Sequence, residues 1–268
     1  MRSTRLLWRS AWIAAVAATV LLLSGFVYAV RDLMNPSPST AVPPPKATAP
    51  AADPVKQNKI QIVALGDSLT KGMGDVSGNG YVQDVKRLLA KDTGKSAYVI
   101  SNLGVNGYRS DQLLADLNTK PFLTDLLKRA NLILLTIGGN DLFNYAWQEF
   151  NLTTNINPEA LLQRLPPNVK RLDSILTKLA KVNPDARIVY VGLYNPFIDT
   201  DKTGKSSDVI QRWNYEASLI ADRYPNVTVV PTFDLFEKNP AKYLYTDHFH
   251  PNQEGYLRIA ERIVQALK

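Results

Sequence analysis

The chain has 268 residues, of which 45% are apolar and 21% charged, the balance of a soluble globular protein with one catalytic-sized core. Its formal net charge of +7 is uneven: residues 1–58 carry six Lys/Arg against two Asp/Glu, and residues 59–268 carry 25 against 22 with no basic stripe, which argues against nucleic-acid binding. With no cysteine in the chain, disulfides and a lipid-modified cysteine are ruled out.

Residues 1–10 form a basic start with Arg2, Arg5 and Arg9. Ala11 to Val30 then gives twenty positions without a formal charge. As a helix that run covers roughly 30 Å, the thickness of a bilayer's hydrocarbon. The positive flank places the N-terminus in the cytoplasm and the rest of the chain outside it. A cleaved signal usually has an apolar region of about 7–15 residues before a small-x-small site. This run is longer and ends Phe26-Val27-Tyr28-Ala29-Val30, so an uncleaved signal anchor over 11–30 is expected, with a secreted form if it is cut. Residues 31–58 are a Pro/Ala-rich linker, holding seven of the 17 prolines. In extended polyproline-like form it reaches at most roughly 70 Å. The folded domain is expected over 59–268.

Beyond the linker, short β-branched runs alternate with segments of helical period, the pattern of an α/β fold. The strands are read at Ile60–Leu65, Tyr98–Leu103, Leu132–Ile137, Arg187–Leu193 and Val227–Val230. Each is nearly continuous in apolar residues, as strands covered on both faces should be. Helices are predicted at Tyr81–Lys91, Ser110–Leu117, Pro158–Val182, Ser207–Tyr224 and Asn252–Leu267, the third broken near its start by Pro166 and Pro167. The result is a three-layer α/β/α sandwich on a five-stranded parallel sheet of flavodoxin-like topology. A 2-1-3-4-5 order would flank strand one with strands two and three and bring the loops at their carboxyl ends together.

Three of those loops carry chemistry. Gly66-Asp67-Ser68-Leu69-Thr70 presents a serine hydroxyl directly after strand one. Serine is a weak nucleophile and needs a base within hydrogen-bond reach, itself oriented by a third group. The chain has two histidines, both in Asp247-His248-Phe249-His250. The three-residue spacing lets one turn place Asp247 beside His250, which makes His250 the candidate base and His248 the weaker one. Acyl transfer also needs donors aimed at the oxyanion. The backbone amides of Ser68 and Gly104 and the side-chain amide of Asn140 are candidates, Asn140 following Gly138-Gly139.

Each motif alone has a structural explanation. Asp67 or Ser68 could cap a helix, Gly104 could be a turn glycine, Gly138 to Asp141 a tight turn, and Asp247 with His250 a surface pair. Independent turns have no reason to supply nucleophile, donors and base together. A metal held by Asp247, His248 and His250 lacks a common zinc spacing. Gly72, Gly74, Gly78 and Gly80 lack the signature of a phosphate loop and read as a flexible rim beside Ser68. Phe143, Tyr145, Trp147, Phe150, Tyr194 and Phe197 fall after strands three and four, where they pack the core or wall an acyl or sugar pocket.

The four blocks Gly66-Asp67-Ser68-Leu69, Asn102 to Gly107, Gly138-Gly139-Asn140-Asp141 and Asp247 to Pro251 stand in the order found in the SGNH hydrolases, also called the GDSL esterase and lipase family. The chain resembles that family over essentially all of residues 60–268. The resemblance implies Ser68 as nucleophile, Asp247 and His250 as the rest of a triad, and an oxyanion hole of Ser68, Gly104 and Asn140, with no metal and no cofactor. It implies an ester substrate; nearness to a bilayer favours acyl esters of lipids or lysophospholipids, and the alternative among enzymes is a carbohydrate O-acetylesterase on wall polysaccharide. The alternative outside enzymes is a tethered wall-binding module that keeps the fold without turnover.

Overall fold

The computed structural model describes residues 2–34, 57–148, 158–201 and 203–268. The chain divides into two units, residues 1–46 and 47–268. The first contains one helix, α1 (Arg2–Met34). Of its side chains, Trp8 and residues 12–27 are described, and all are exposed. Those sixteen consecutive positions make about 24 Å of helix. Among the described residues no helix is long and apolar enough to cross a membrane.

The second unit runs β1 (Lys59–Gly66), α2 (Ser68–Lys71), α3 (Gly80–Thr93), β2 (Ser96–Gly104), α4 (Ser110–Thr119), α5 (Pro121–Arg129), β3 (Leu132–Thr136), α6 (Gly139–Gln148), α7 (Pro158–Val182), β4 (Arg187–Val191), α8 (Lys205–Ala221), β5 (Val227–Val230), α9 (Phe233–Glu237), α10 (Pro240–Tyr243) and α11 (Gln253–Ala266). The five strands are all parallel in the order β2-β1-β3-β4-β5, as the sequence leads one to expect. Two apolar layers sandwich the sheet, and the period-2 alternation of the strands feeds both. Val63 and Leu65 of β1, Ile133 and Leu135 of β3 and Ile188 and Tyr190 of β4 pack on the side of α4, α5, α7 and α8. Ile60, Ile62 and Ala64, Leu132 and Leu134, and Val189 and Val191 pack on the side of α3 and α11.

Register positions the site. Gly66, the last residue of β1, pairs with Gly104 of β2 on one side and with Thr136 of β3 on the other. Three strands therefore end level, and the segments that follow them emerge along one edge, where the strand order reverses about β1.

Two expectations about the elements are corrected. Pro166 and Pro167 do not break α7, which runs unbroken from Pro158 to Val182. Both prolines and the two residues whose carbonyls lose a donor, Leu162 and Gln163, are exposed, so water can take those carbonyls in place of the missing N–H groups. β2 is an edge strand whose cover is incomplete: Ala97 and Val99 pack on one layer and Ile100 and Leu103 on the other, all only half-buried, while Ser96, Tyr98 and Asn102 are exposed. The helices α2, α5, α6, α9 and α10 fall in stretches the periodicity leaves as connections; α2, α9 and α10, at four or five residues, are too short for apolar repeats to register.

Candidate active site

Ser68 opens α2 directly after β1. The preceding Asp67 caps that helix, its Oδ1 accepting from the Leu69 amide at 3.1 Å and from the Thr136 hydroxyl at 2.7 Å. Its own amide donates to the Thr136 carbonyl at 3.1 Å. Ser68 is thus held at a sharp turn between two strand ends, buried except toward the pocket it lines.

The segment after α10 returns to this edge. Leu244 and Pro251 form an antiparallel bridge, and the Tyr245 amide donates to the His250 carbonyl at 2.7 Å. The Tyr194 hydroxyl, three residues past β4, donates to the Phe249 carbonyl at 2.5 Å. These bonds set the buried His250 ring so that Nε2 lies 2.8 Å from Ser68 Oγ and Nδ1 lies 2.7 Å from Asp247 Oδ2. The other Asp247 oxygen accepts from the Phe249 and His250 amides at 3.0 and 2.9 Å. Burial would raise the Asp247 carboxyl, but the His250 ring and these two amides outweigh it and hold it below its ordinary value. Ser68, His250 and Asp247 therefore form one continuous hydrogen-bonded chain.

His248 stands apart from it, exposed and with a φ of 56°. Among the described residues no three His, Cys, Asp or Glu side chains are grouped as a metal site requires. Asn140, in the first turn of α6, lines the same pocket as Ser68. Its Nδ2 donates to the Tyr108 carbonyl at 3.0 Å, and an amide nitrogen has a second N–H.

Gly104 does not fit the role expected of it. Its N–H already donates to Asn102 Oδ1 at 3.0 Å. A Cβ at this position would lie 2.3 Å from the Lys71 nitrogen, so the residue is glycine because β2 and α2 touch there. Two donors remain on this loop, the amides of Asn106 and Gly107, and Gly107, at a φ of 73°, stands one residue before the Tyr108 that Asn140 binds. Among the described residues its N–H has no intramolecular acceptor.

The glycine-rich loop forms an exposed rim over residues 76–79, tied down at its two ends. Asp75 accepts from the Ser77 amide and hydroxyl and from the Gly80 amide. Gly74, at a φ of 91°, presses on the histidine segment: a Cβ there would come within 2.6 Å of the Pro251 carbonyl and 3.0 Å of His250 Cβ.

Three sets of buried polar groups have partners that no motif reports. Asp67 is more than a cap, since it is almost wholly buried at the pocket. Burial pushes its carboxyl up against the pull of the Thr136 hydroxyl, the Leu69 amide and the charge of His250. Thr136 and Thr70 extend this network to the Tyr81 hydroxyl, through contacts of 2.7 and 2.8 Å. Asp141 is the third, accepting from the Ser110 hydroxyl at 2.6 Å and from the Ser110 amide at 2.9 and 3.1 Å. A hydrogen-bonding residue buried at a strand end was the available signal for Thr136, but sequence does not show which face it takes.

The pocket beside Ser68 is lined by Leu69, Phe143, Val191, Leu193, Tyr194, Pro196 and Phe249 along with the polar groups already described. Its free volume is narrow, about 30 Å³. Phe143 and Tyr194 thus do both jobs considered for them, being buried and facing the pocket. Phe197 backs Phe143 at a ring distance of 5.0 Å. The side chains of Tyr145 and Trp147, and Phe150 as a whole, lie outside the described residues.

Residues 64–258 match the family described as GDSL-like Lipase/Acylhydrolase. The chain is 34% identical over 212 residues to the uncharacterized protein YpmR of Bacillus subtilis strain 168, covering 78% of this chain and 82% of that one. It is 28% identical over 210 residues to the spore germination lipase LipC of Bacillus licheniformis, covering 76% and 94%. Among solved structures, the lipase Lip_vut3 from a goat rumen metagenome superposes with a TM-score of 0.68 at 26% identity, over 78% of this chain and all of that one. With the family match spanning most of the folded domain and reaching from β1 into α11, the chain belongs to the GDSL-like lipase and acylhydrolase family and is a carboxylic ester hydrolase.

Proposed function

We propose that this protein hydrolyses carboxylic esters through an acyl-enzyme on Ser68, with acyl esters of lipids or lysophospholipids as the substrate class, outside the cytoplasmic membrane. The observation that carries the reading is the hydrogen-bonded chain Ser68 to His250 to Asp247 beside an apolar pocket. Ser68 Oγ attacks the ester carbonyl as His250 Nε2 takes its proton, and Asp247 stabilises the imidazolium. The tetrahedral oxyanion is met by the Ser68 amide, the free N–H of Asn140 and the Gly107 amide, which replaces Gly104 in this role. His250 returns the proton to the leaving alcohol, and water attacks the acyl-enzyme by the same route.

The location rests on the sequence. Residues 11–30 form an uncharged run of about 30 Å behind Arg2, Arg5 and Arg9, four positions longer than the stretch whose side chains are described. Anchoring through this run keeps the enzyme near acyl lipids. A second reading, an O-acetylesterase on wall polysaccharide, is favoured by the narrow pocket, which suits an acetyl group better than a long chain.

The test is hydrolysis of p-nitrophenyl esters from acetyl to long chain by the full-length protein in detergent. An optimum at medium or long chains supports the lipid reading, an optimum at acetyl supports the second, and turnover undiminished in Ser68→Ala overturns both. Protease added to intact cells should cleave the domain; protection from it would contradict the outward orientation.

A further inference from the structure

The loop between β2 and α4 carries Gly107 inside a turn that the Tyr108 amide closes on the Val105 carbonyl at 3.2 Å. Val105 is tied back to β1, its amide donating to the Gly66 carbonyl at 3.0 Å, and the Tyr108 hydroxyl and Arg109 amide bind Asp116 and Gln112 of α4. The far end is also held from α6. Asn140 grips the Tyr108 carbonyl, and the adjacent Asp141 takes both the amide and the hydroxyl of Ser110. One helical turn thus holds the loop at two points two residues apart, with Gly107 immediately before the first.

Asp141 is a carboxylate buried in a protein interior, where an unpaired charge is costly and a neutral residue would pack as well. It forms no ion pair by contact; its bonds all go to Ser110. The charged groups that act on it are Asp111, which opposes its charge, and Arg171, which favours it. Capping α4 explains the bond to the Ser110 amide. It does not explain why the cap comes from the residue next to Asn140, 31 positions away in the chain, when Arg109 stands at the local cap position.

We propose that Asp141 is a positioning residue that latches the oxyanion loop to α6, so that the Gly107 amide and the Asn140 side chain keep one fixed spacing. The inference rests on the proposed esterase mechanism and adds to it a residue outside the reacting groups. A donor that is misplaced contributes little to transition-state stabilisation, while ground-state binding in the pocket does not depend on it. Asp141→Asn leaves one acceptor oxygen where the Ser110 amide and hydroxyl together use both carboxylate oxygens, and so loosens the latch. Ser110→Ala removes one bond and leaves the charge in place.

The test is steady-state hydrolysis of p-nitrophenyl butyrate by full-length wild type, Asp141→Asn, Ser110→Ala and Ser68→Ala, each checked by thermal unfolding and assayed well below its Tm. The latch predicts a kcat about 10 to 100-fold lower in Asp141→Asn and about 3 to 10-fold lower in Ser110→Ala, with KM within about threefold of wild type. Inactivation by a p-nitrophenyl phosphonate, which builds the tetrahedral centre on Ser68, slows in parallel with kcat. A kcat within twofold of wild type in folded Asp141→Asn overturns the proposal, as does a rise in KM that accounts for the whole loss. If Asp141→Asn does not fold, Ser110→Ala decides, and an unchanged kcat there overturns it. Turnover that survives Ser68→Ala would instead remove the esterase mechanism, and the latch with it.

Discussion

The Ser68 hydroxyl and the His250 imidazole, 182 positions apart in the chain, meet at 2.8 Å. Neither is placed by its own neighbours alone. Ser68 is held by Asp67, which Thr136 of β3 binds through its hydroxyl and its carbonyl, while His250 is held by the Leu244 to Pro251 bridge, by Tyr194 through the Phe249 carbonyl and by the close approach of Gly74.

Asp247→Asn keeps an oxygen for the Phe249 and His250 amides but turns an N–H toward His250 Nδ1, which disfavours the tautomer that can take the Ser68 proton. A loss in kcat of at least about 100-fold is expected with little change in fold, read by steady-state kinetics and circular dichroism. The wild-type carboxyl is held below its ordinary value of 3.8 in the folded state. Its contribution to stability is therefore fully present above about pH 4 and lost as pH falls through the folded value. Thermal melts should show wild type losing more Tm than Asp247→Asn on acidification below about pH 4.

Asp67 has the opposite sign. Burial raises its carboxyl above the ordinary value of 3.8, so the folded state holds that proton more tightly than the unfolded chain does. Stability from this group is present at acidic pH and lost as pH rises through the raised value. Asn caps a helix about as well as Asp. Asp67→Asn is accordingly expected to raise Tm by about 2 °C or more at pH 8, with the gain vanishing near pH 4. A lower Tm at pH 8 would mean that the charge itself stabilises the turn.

Gly74→Ala places a methyl at a φ of 91° and within 2.6 Å of the Pro251 carbonyl. Strain of about 1–3 kcal/mol is expected from the backbone alone. Because the displaced segment carries His250, kcat should fall along with Tm. A variant with lowered Tm but wild-type kcat at low temperature would show that the histidine segment tolerates the shift.

The strands, their order and the four blocks were legible because each rests on a local signal: apolar runs, glycine turns, and rare residue types such as two histidines in the whole chain. Gly104 shows where that stops. Gly104 and Gly107 are both glycines after β2, and only the fold shows that the first is glycine for packing on α2 and already donates to Asn102. Pro166 and Pro167 mislead for a similar reason, since the cost of a helical proline depends on whether water reaches the carbonyls it leaves, and exposure is a tertiary property. The roles of Asp67 and Asp141 depend on partners 69 and 31 positions away, which no spacing rule reports.

The central claim is that Ser68 is the nucleophile activated by His250. Mass spectrometry of the full-length protein treated with a fluorophosphonate tests it most directly. The account predicts a single covalent adduct on the peptide containing Ser68, absent in Ser68→Ala and formed at least about 100-fold more slowly in His250→Ala. An adduct on another residue, or ester hydrolysis that persists while Ser68 is quantitatively blocked, would contradict it.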